Sequence, residues 1–184
     1  MAIVYPHSMQ SNCISEEWRM TSSFTNDASP MLNWEKVDSV GAYSPYYNST
    51  SNNLLIESSG VFEFREKGGY LINWFFMAYG TQQSYFNHMT LDLSWNNGAN
   101  YHGVMHAYAS FPNANSGYSN THELTGNGIT FLSIPSTTGS GSGTRKIRFR
   151  MNVQNSNNGT YGSSTTTYTG FIVSKLTDHT NAPS

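Results

Sequence analysis

The chain has 184 residues, enough for one well-buried domain, and only 11% of them are charged, for a formal net charge of -2, against an average of about 25% charged. That balance offers no footprint for a phosphate backbone and no pull toward anionic membranes, and no apolar run reaches the roughly 20 residues of a membrane helix. Nucleic acid and membrane insertion are therefore not expected, and the single cysteine, Cys13, excludes an internal disulfide framework.

Abundant Asn, Ser, Thr and Gly would suit a disordered chain, but an aromatic content of 14% supplies enough apolar surface to offset the entropy of ordering. The expected class is all-β. At the N-terminus, "MAIVYPHSMQ" has neither the basic start nor the apolar core of a signal peptide, which points to a chain made in a cytoplasm. Residues 1–30 lack strand alternation and read as a docking arm, with Ile3, Val4, Tyr5, Trp18 and Phe24 as its anchors. The one helical hint is a turn around "SEEWRM", where Ser15 could cap. Residues 31–178 read as the folded domain and residues 179–184 as a C-terminal tail.

"VFEF" is a short candidate strand that precedes "GGYLINWFFMAYG", residues 68 to 80. There Tyr70, Ile72, Trp74 and Phe76 share one strand face while Leu71, Phe75 and Met77 share the other, so both faces seek shelter from water. A lone sandwich covers only one face of a strand, and oligomerisation is the economical way to cover the second. "HMTLDLSWNNG" alternates Met89, Leu91, Leu93 and Trp95 with polar residues and stops at Asn97-Gly98, a turn pair with positive φ available at both positions. "GVMHAYASF" and "GITFLSI" are shorter candidates bounded by Gly and Pro. In "RKIRFRMNVQN", Ile147, Phe149, Met151 and Val153 face a core, while Lys146, Arg148 and Arg150 project together from the other side. That basic row is the candidate contact with acidic groups of a partner or a glycan, beside Lys175 if the last two strand regions pair. "TTYTGFIVSKL" reads as the final strand.

Little in the sequence speaks for catalysis. His102 and His106 have an even spacing and would share a strand face, but about 13 Å apart by strand rise, too far for one metal ion. Glu63 and Glu66 flank Arg65 and read as an ion-pair or solvated edge. No Gly-x-Ser-x-Gly, phosphate loop or Cys/His cluster occurs, and the sequons at Asn48 and Asn158 are ordinary chance in an Asn-rich chain. No catalytic residue, metal or cofactor is expected.

"GVFEF", "GGYLINWFFMAYG", a strand ending in "WNNG" and "TTYTGFIVSKL" follow in an order that resembles the jelly roll of the tumour necrosis factor and complement globular-head superfamily. The matching positions are Phe62, Phe64, Gly69, Tyr70, Tyr168, Gly170 and Phe171, with Trp34 in "LNWEKVD" standing in the first strand. The usual Gly-Asp before the penultimate strand is absent. The resemblance implies an antiparallel jelly-roll β-sandwich of about ten strands, assembled as a homotrimer with inner-strand aromatics at the threefold axis. It assigns Tyr70, Ile72, Trp74, Phe75, Phe76, Met77, Tyr168 and Phe171 to core or trimer interface. Similar modules occur in phage virions. The resulting expectation is a non-enzymatic protein of the virion surface that decorates and stabilises the capsid, with the major capsid protein or another virion protein as partner. The alternative is a tail-fibre or baseplate tip that binds a host receptor or host-surface glycan.

Overall fold

The computed structural model describes residues 14–37, 54–80, 84–111, 122–135, 145–154 and 156–177. Ile3, Val4, Tyr5, Cys13 and the tail 179–184 lie outside them. Every regular element among the described residues is a strand: β1 (Ile14–Met20), β2 (Ser22–Thr25), β3 (Trp34–Lys36), β4 (Leu55–Ser58), β5 (Val61–Phe64), β6 (Gly68–Gly80), β7 (Ser84–Ser94), β8 (His102–Phe111), β9 (His122–Ile134), β10 (Lys146–Val153), β11 (Gly159–Ser163) and β12 (Gly170–Thr177). They build two antiparallel sheets. The seven-stranded sheet runs β2-β11-β6-β12-β1-β3, with β9 also paired to β6, and the five-stranded sheet runs β4-β5-β10-β7-β8.

β6 is the spine of the larger sheet. Along one edge it pairs with β9 from Gly68↔Ile134 to Gly80↔His122, and its other edge is shared between β12 and β11. Its alternation is the one read from sequence: Tyr70, Ile72, Trp74, Phe76 and Ala78 are fully buried between the sheets, while Leu71, Phe75, Met77 and Tyr79 are half-buried on the outside. Across the sandwich, β10 turns Ile147, Phe149 and Met151 inward. The centre is an aromatic cluster from both sheets. Phe62 meets Phe171 edge-on at 4.9 Å between ring centroids, Phe149 lies 4.8 Å from Phe171, and Trp18 and Trp34 close on Phe62 at 5.2 and 5.7 Å. Such pairs add about 0.5–1.5 kcal/mol each beyond the area they bury.

Two turns show why these strands reverse where they do. Asn97 and Gly98 both have positive φ, 58° and 88°, as the Asn-Gly pair predicts for a tight turn after β7. Between β4 and β5, Ser59 and Gly60 adopt 51° and 80°, and a Cβ at Gly60 would run into the Met31 carbonyl.

The structure departs from the sequence reading in four places. The strands number twelve among the described residues, because the region before residue 30 is woven into the larger sheet. β1 lies between β12 and β3, with Trp18 opposite Phe171 and Lys36, and Trp18 and Met20 are core residues. Neither a helical turn at "SEEWRM" nor an arm boundary at residue 30 is therefore present, and Phe24 packs against the same core from β2. "GITFLSI" extends backward through two glycines into the thirteen-residue β9, since the rings of Phe76 and Trp74 lie where Cβ atoms of Gly126 and Gly128 would stand. His102 and His106 do not share a face. Leu91 pairs with Met105 but Asp92 with Gly103, so one extra residue in β8 inverts the parity between the two histidines. Lastly, β10 is flanked by β5 and β7 and β12 by β6 and β1, so Lys175 does not join the basic row.

Candidate functional site

The described residues contain no group of three or more His, Cys, Asp or Glu placed to hold a metal ion. The carboxylates the structure places have structural duties. Glu16 points inward from β1, 2% exposed, and accepts from the backbone N–H groups of Leu54 and Leu55, from Trp18 Nε1 at 3.3 Å and from Lys36 Nζ at 2.9 Å. It thereby straps the entry to β4 onto β1. Glu63 pairs with Lys146 at 2.9 Å and Glu66 with Lys175, so neither is a spare acid or base. The two outer faces of the sandwich are the candidate functional surfaces among the described residues, and they differ in chemistry.

The outer face of the seven-stranded sheet is largely apolar over β6, β9 and β12, and carries Glu17 and the Arg19–Glu35 ion pair over β1 and β3. Register sets Leu71 of β6 beside Phe131 of β9, and Asn73 beside Ile129 and Ile172. Phe131 is 61% exposed and Ile129 52%, with Leu176 and Tyr168 also exposed, and the half-buried Phe75, Met77 and Tyr79 continue the surface along β6. Tyr79, Tyr161 and Tyr168 form a row of rings with centroids 4.5 and 5.8 Å apart. Of the residues assigned to core or interface, Tyr70, Ile72, Trp74, Phe76 and Phe171 thus lie inside the subunit, whereas Phe75, Met77 and Tyr168 lie toward the outside. Ile129, Phe131 and Leu176 escaped the sequence reading. The signal was present in "GITFLSI", which is apolar on both strand faces just as β6 is.

The outer face of the five-stranded sheet is charged and aromatic. Asp92 of β7, 2% exposed, receives Nε of Arg148 at 3.1 Å together with Nε and Nη2 of Arg150 at 3.3 and 3.2 Å. Nη1 of Arg150 donates to Asn152 Oδ1 at 2.8 Å, and the Arg148 guanidinium lies over the Tyr101 ring, 4.1 Å from its centroid. The basic row of Lys146, Arg148 and Arg150 is therefore one half of an ion-pair ladder, with Glu63 and Asp92 as the other half. At the far end of the same face the rings of Phe86, His88, His106 and Tyr108 touch in sequence, with His88 to Tyr108 at 5.1 Å and His106 stacked on Tyr108 at 6.1 Å. Thr90 Oγ1 and His106 Nδ1 share a hydrogen bond of 2.9 Å. Burial first, then the neighbouring His106 and Arg150, lower the pKa of His88 from its usual 6.5.

Two antiparallel sheets in this order, with β6 central and β12 beside β1, make this a jelly-roll sandwich of the tumour necrosis factor type. Among solved structures, murine APRIL at pH 5.0 superposes with a TM-score of 0.59 at 8% identity, over 90% of this chain and 100% of that one. The tumour necrosis factor Eiger from S. frugiperda gives 0.59 at 12% identity, over 94% and 98%. Murine APRIL at pH 8.5 gives 0.56 at 8%, over 88% and 98%. At such identities the likeness is one of fold. No family model and no curated protein matches the sequence.

Proposed function

We propose that the chain is a non-enzymatic protein that acts as a homotrimer, associating through the outer face of its seven-stranded sheet. The observation that carries this reading is the exposure of Phe131 and Ile129 on β9 next to the half-buried Leu71, Phe75 and Met77 of β6. A continuous apolar face of that kind is covered in a stable assembly. The other outer face is crossed by the ion pairs of Lys146, Arg148 and Arg150, which favour contact with water over burial against a second subunit. A threefold arrangement is supported by the likeness to tumour necrosis factor-type heads, for which the resemblance implies packing of inner-strand aromatics at the axis. Light scattering on the purified protein at micromolar concentration tests it: three times the 20.5 kDa subunit mass is expected, and a monomer would end the proposal.

Within that class the reading is a protein of the outer surface of a phage virion that decorates and stabilises the capsid. It is supported by the low charge and by the apolar Ile3, Val4 and Tyr5 in the sequence before β1 as a contact with a capsid protein. Copy number per particle decides it, since tens of trimers spread over a shell are expected for decoration and a handful at one vertex for a tail tip.

A further inference from the structure

The ion-pair ladder on the five-stranded sheet is unbalanced. Two guanidiniums, Arg148 and Arg150, share the single carboxylate of Asp92, which leaves one positive charge at this end of the face, while the carboxylate of Asp27 stands near His88 at the other end. Arg150 spends three of its N–H groups on Asp92 and Asn152. Arg148 spends one, Nε, and its Cζ rests on Tyr101. Its planar fork of Nη1 and Nη2 is thus held in place from two sides with no protein acceptor among the described residues, on a side chain that keeps 22% of its surface in water. A rigid, unoccupied guanidinium fork is the group best matched to a carboxylate.

Four residues further along the strands, about 13 Å by strand rise, and two strands across from β10, stands the ring platform. Tyr108 is 60% exposed and stacks within 25° of the plane of His106, while His88, its register partner on β7, lies beside it with ring centroids 5.1 Å apart. Asn152, opposite His88 in register, has its amide oxygen fixed by Arg150, so its NH2 group is presented as a donor. An exposed ring on β8, an amide donor level with it on β10 and a charged fork four residues further along β10 form a corner that suits hydroxylated rings bearing a carboxylate. The backbone groups of β7 and β10 are paired on both sides, so a peptide could add only at the end strands of the sheet, β4 and β8, away from the Arg148 fork.

We propose that the outer face of the five-stranded sheet binds an acidic oligosaccharide, with the Tyr108 ring stacking on a sugar and the Arg148 fork taking a carboxylate. The site lies within one subunit and on the side of the sandwich away from the apolar face, so it does not rest on the assembly proposed above.

Titration calorimetry of the full-length protein with tri-galacturonic acid, a sialylated trisaccharide, neutral galactotriose and hexaglutamate tests the site. Saturable binding of an acidic trisaccharide is expected, with the neutral one and the peptide at least about tenfold weaker. Arg148→Lys keeps the charge but removes the fork, and Tyr108→Ala removes the platform; each should weaken binding about tenfold. Should Arg148→Lys disturb folding, seen as a lowered melting temperature, Tyr108→Ala still decides, because its ring is mostly in water. The proposal is overturned if neither acidic trisaccharide binds saturably at millimolar concentration, if Tyr108→Ala leaves the affinity unchanged, or if hexaglutamate binds as tightly as the sugars.

Discussion

Phe131→Asp separates folding from assembly because the side chain it removes is largely in water within the subunit. Full burial of a phenylalanine contributes about 1.5–3 kcal/mol, and Phe131 has 61% of its surface still exposed. Covering that share in an interface is therefore worth about 1–2 kcal/mol per side chain, or about 3–6 kcal/mol for three copies. At about 1.4 kcal/mol per decade the trimer constant should weaken by a factor of about 10² to 10⁴, and more if the new carboxylates are desolvated against one another. The isolated subunit should hardly notice, since a surface substitution on a strand costs within about 1 kcal/mol. Analytical ultracentrifugation across nanomolar to micromolar concentrations reads the first quantity and circular dichroism melting reads the second. A variant that keeps the wild-type mass over the whole range would refute the assignment of the interface to this face.

Trp74→Ala should fail by the opposite route. Its indole is fully buried against Gly128 of β9, and the cavity should cost about 3–5 kcal/mol and lower the melting temperature at every protein concentration. Asp92→Asn leaves Arg148 and Arg150 without their carboxylate and should cost about 2–3 kcal/mol in urea denaturation, less than a wholly buried pair because both cations keep part of their surface in water. With His88 held below its usual 6.5, the unfolded chain takes up that proton first as pH falls. The stability tied to the neutral imidazole is therefore complete above pH 6.5 and is lost as pH drops through the folded value, and His88→Gln should flatten this part of the profile in pH-dependent melts. Deleting residues 1–30 should abolish soluble, β-rich protein, since it strips Trp18, Met20 and the Glu16 strap from the sheet, whereas deleting residues 1–13 should leave a folded domain by circular dichroism.

The strands legible in the sequence were those whose partners do not alter their pattern. β6 and β10 alternate without interruption, and their inward residues in the fold are those the alternation named. β1 was hidden by its own inward face, Glu16, Trp18 and Met20, where a charge stands in a core position. What makes that charge tolerable is the backbone of Leu54 and Leu55, 38 and 39 residues onward, which no local window contains. β9 was cut short for a related reason. Its glycines read as boundaries until the rings of Trp74 and Phe76, placed opposite them by the register, supply the bulk they lack. Parity fails at a bulge, and the extra residue in β8 sent His102 and His106 to opposite faces. The basic row was visible, but its counter-charge was not, because Asp92 meets Arg148 only once β7 and β10 are aligned.

The same dependence on register decides what each outer face can do. On β6 alone, the second apolar face holds Leu71, Phe75 and Met77, a strip one strand wide that a few long side chains could shield. Pairing with β9 and β12 brings Phe131, Ile129 and Ile172 alongside and broadens that strip into a surface, which is what turns a two-sided strand into an argument for association. On the other sheet, pairing does the reverse. It sets each outward cation of β10 against a carboxylate of β5 or β7 and leaves the Arg148 fork without an acceptor among the described residues, on the same face as the rings that β8 contributes. Since the two outer faces lie on opposite sides of one sandwich, a subunit that buries the first in an assembly still presents the second to solvent. Self-association and ligand capture then draw on separate surfaces, and Phe131→Asp and Tyr108→Ala should each impair one while sparing the other.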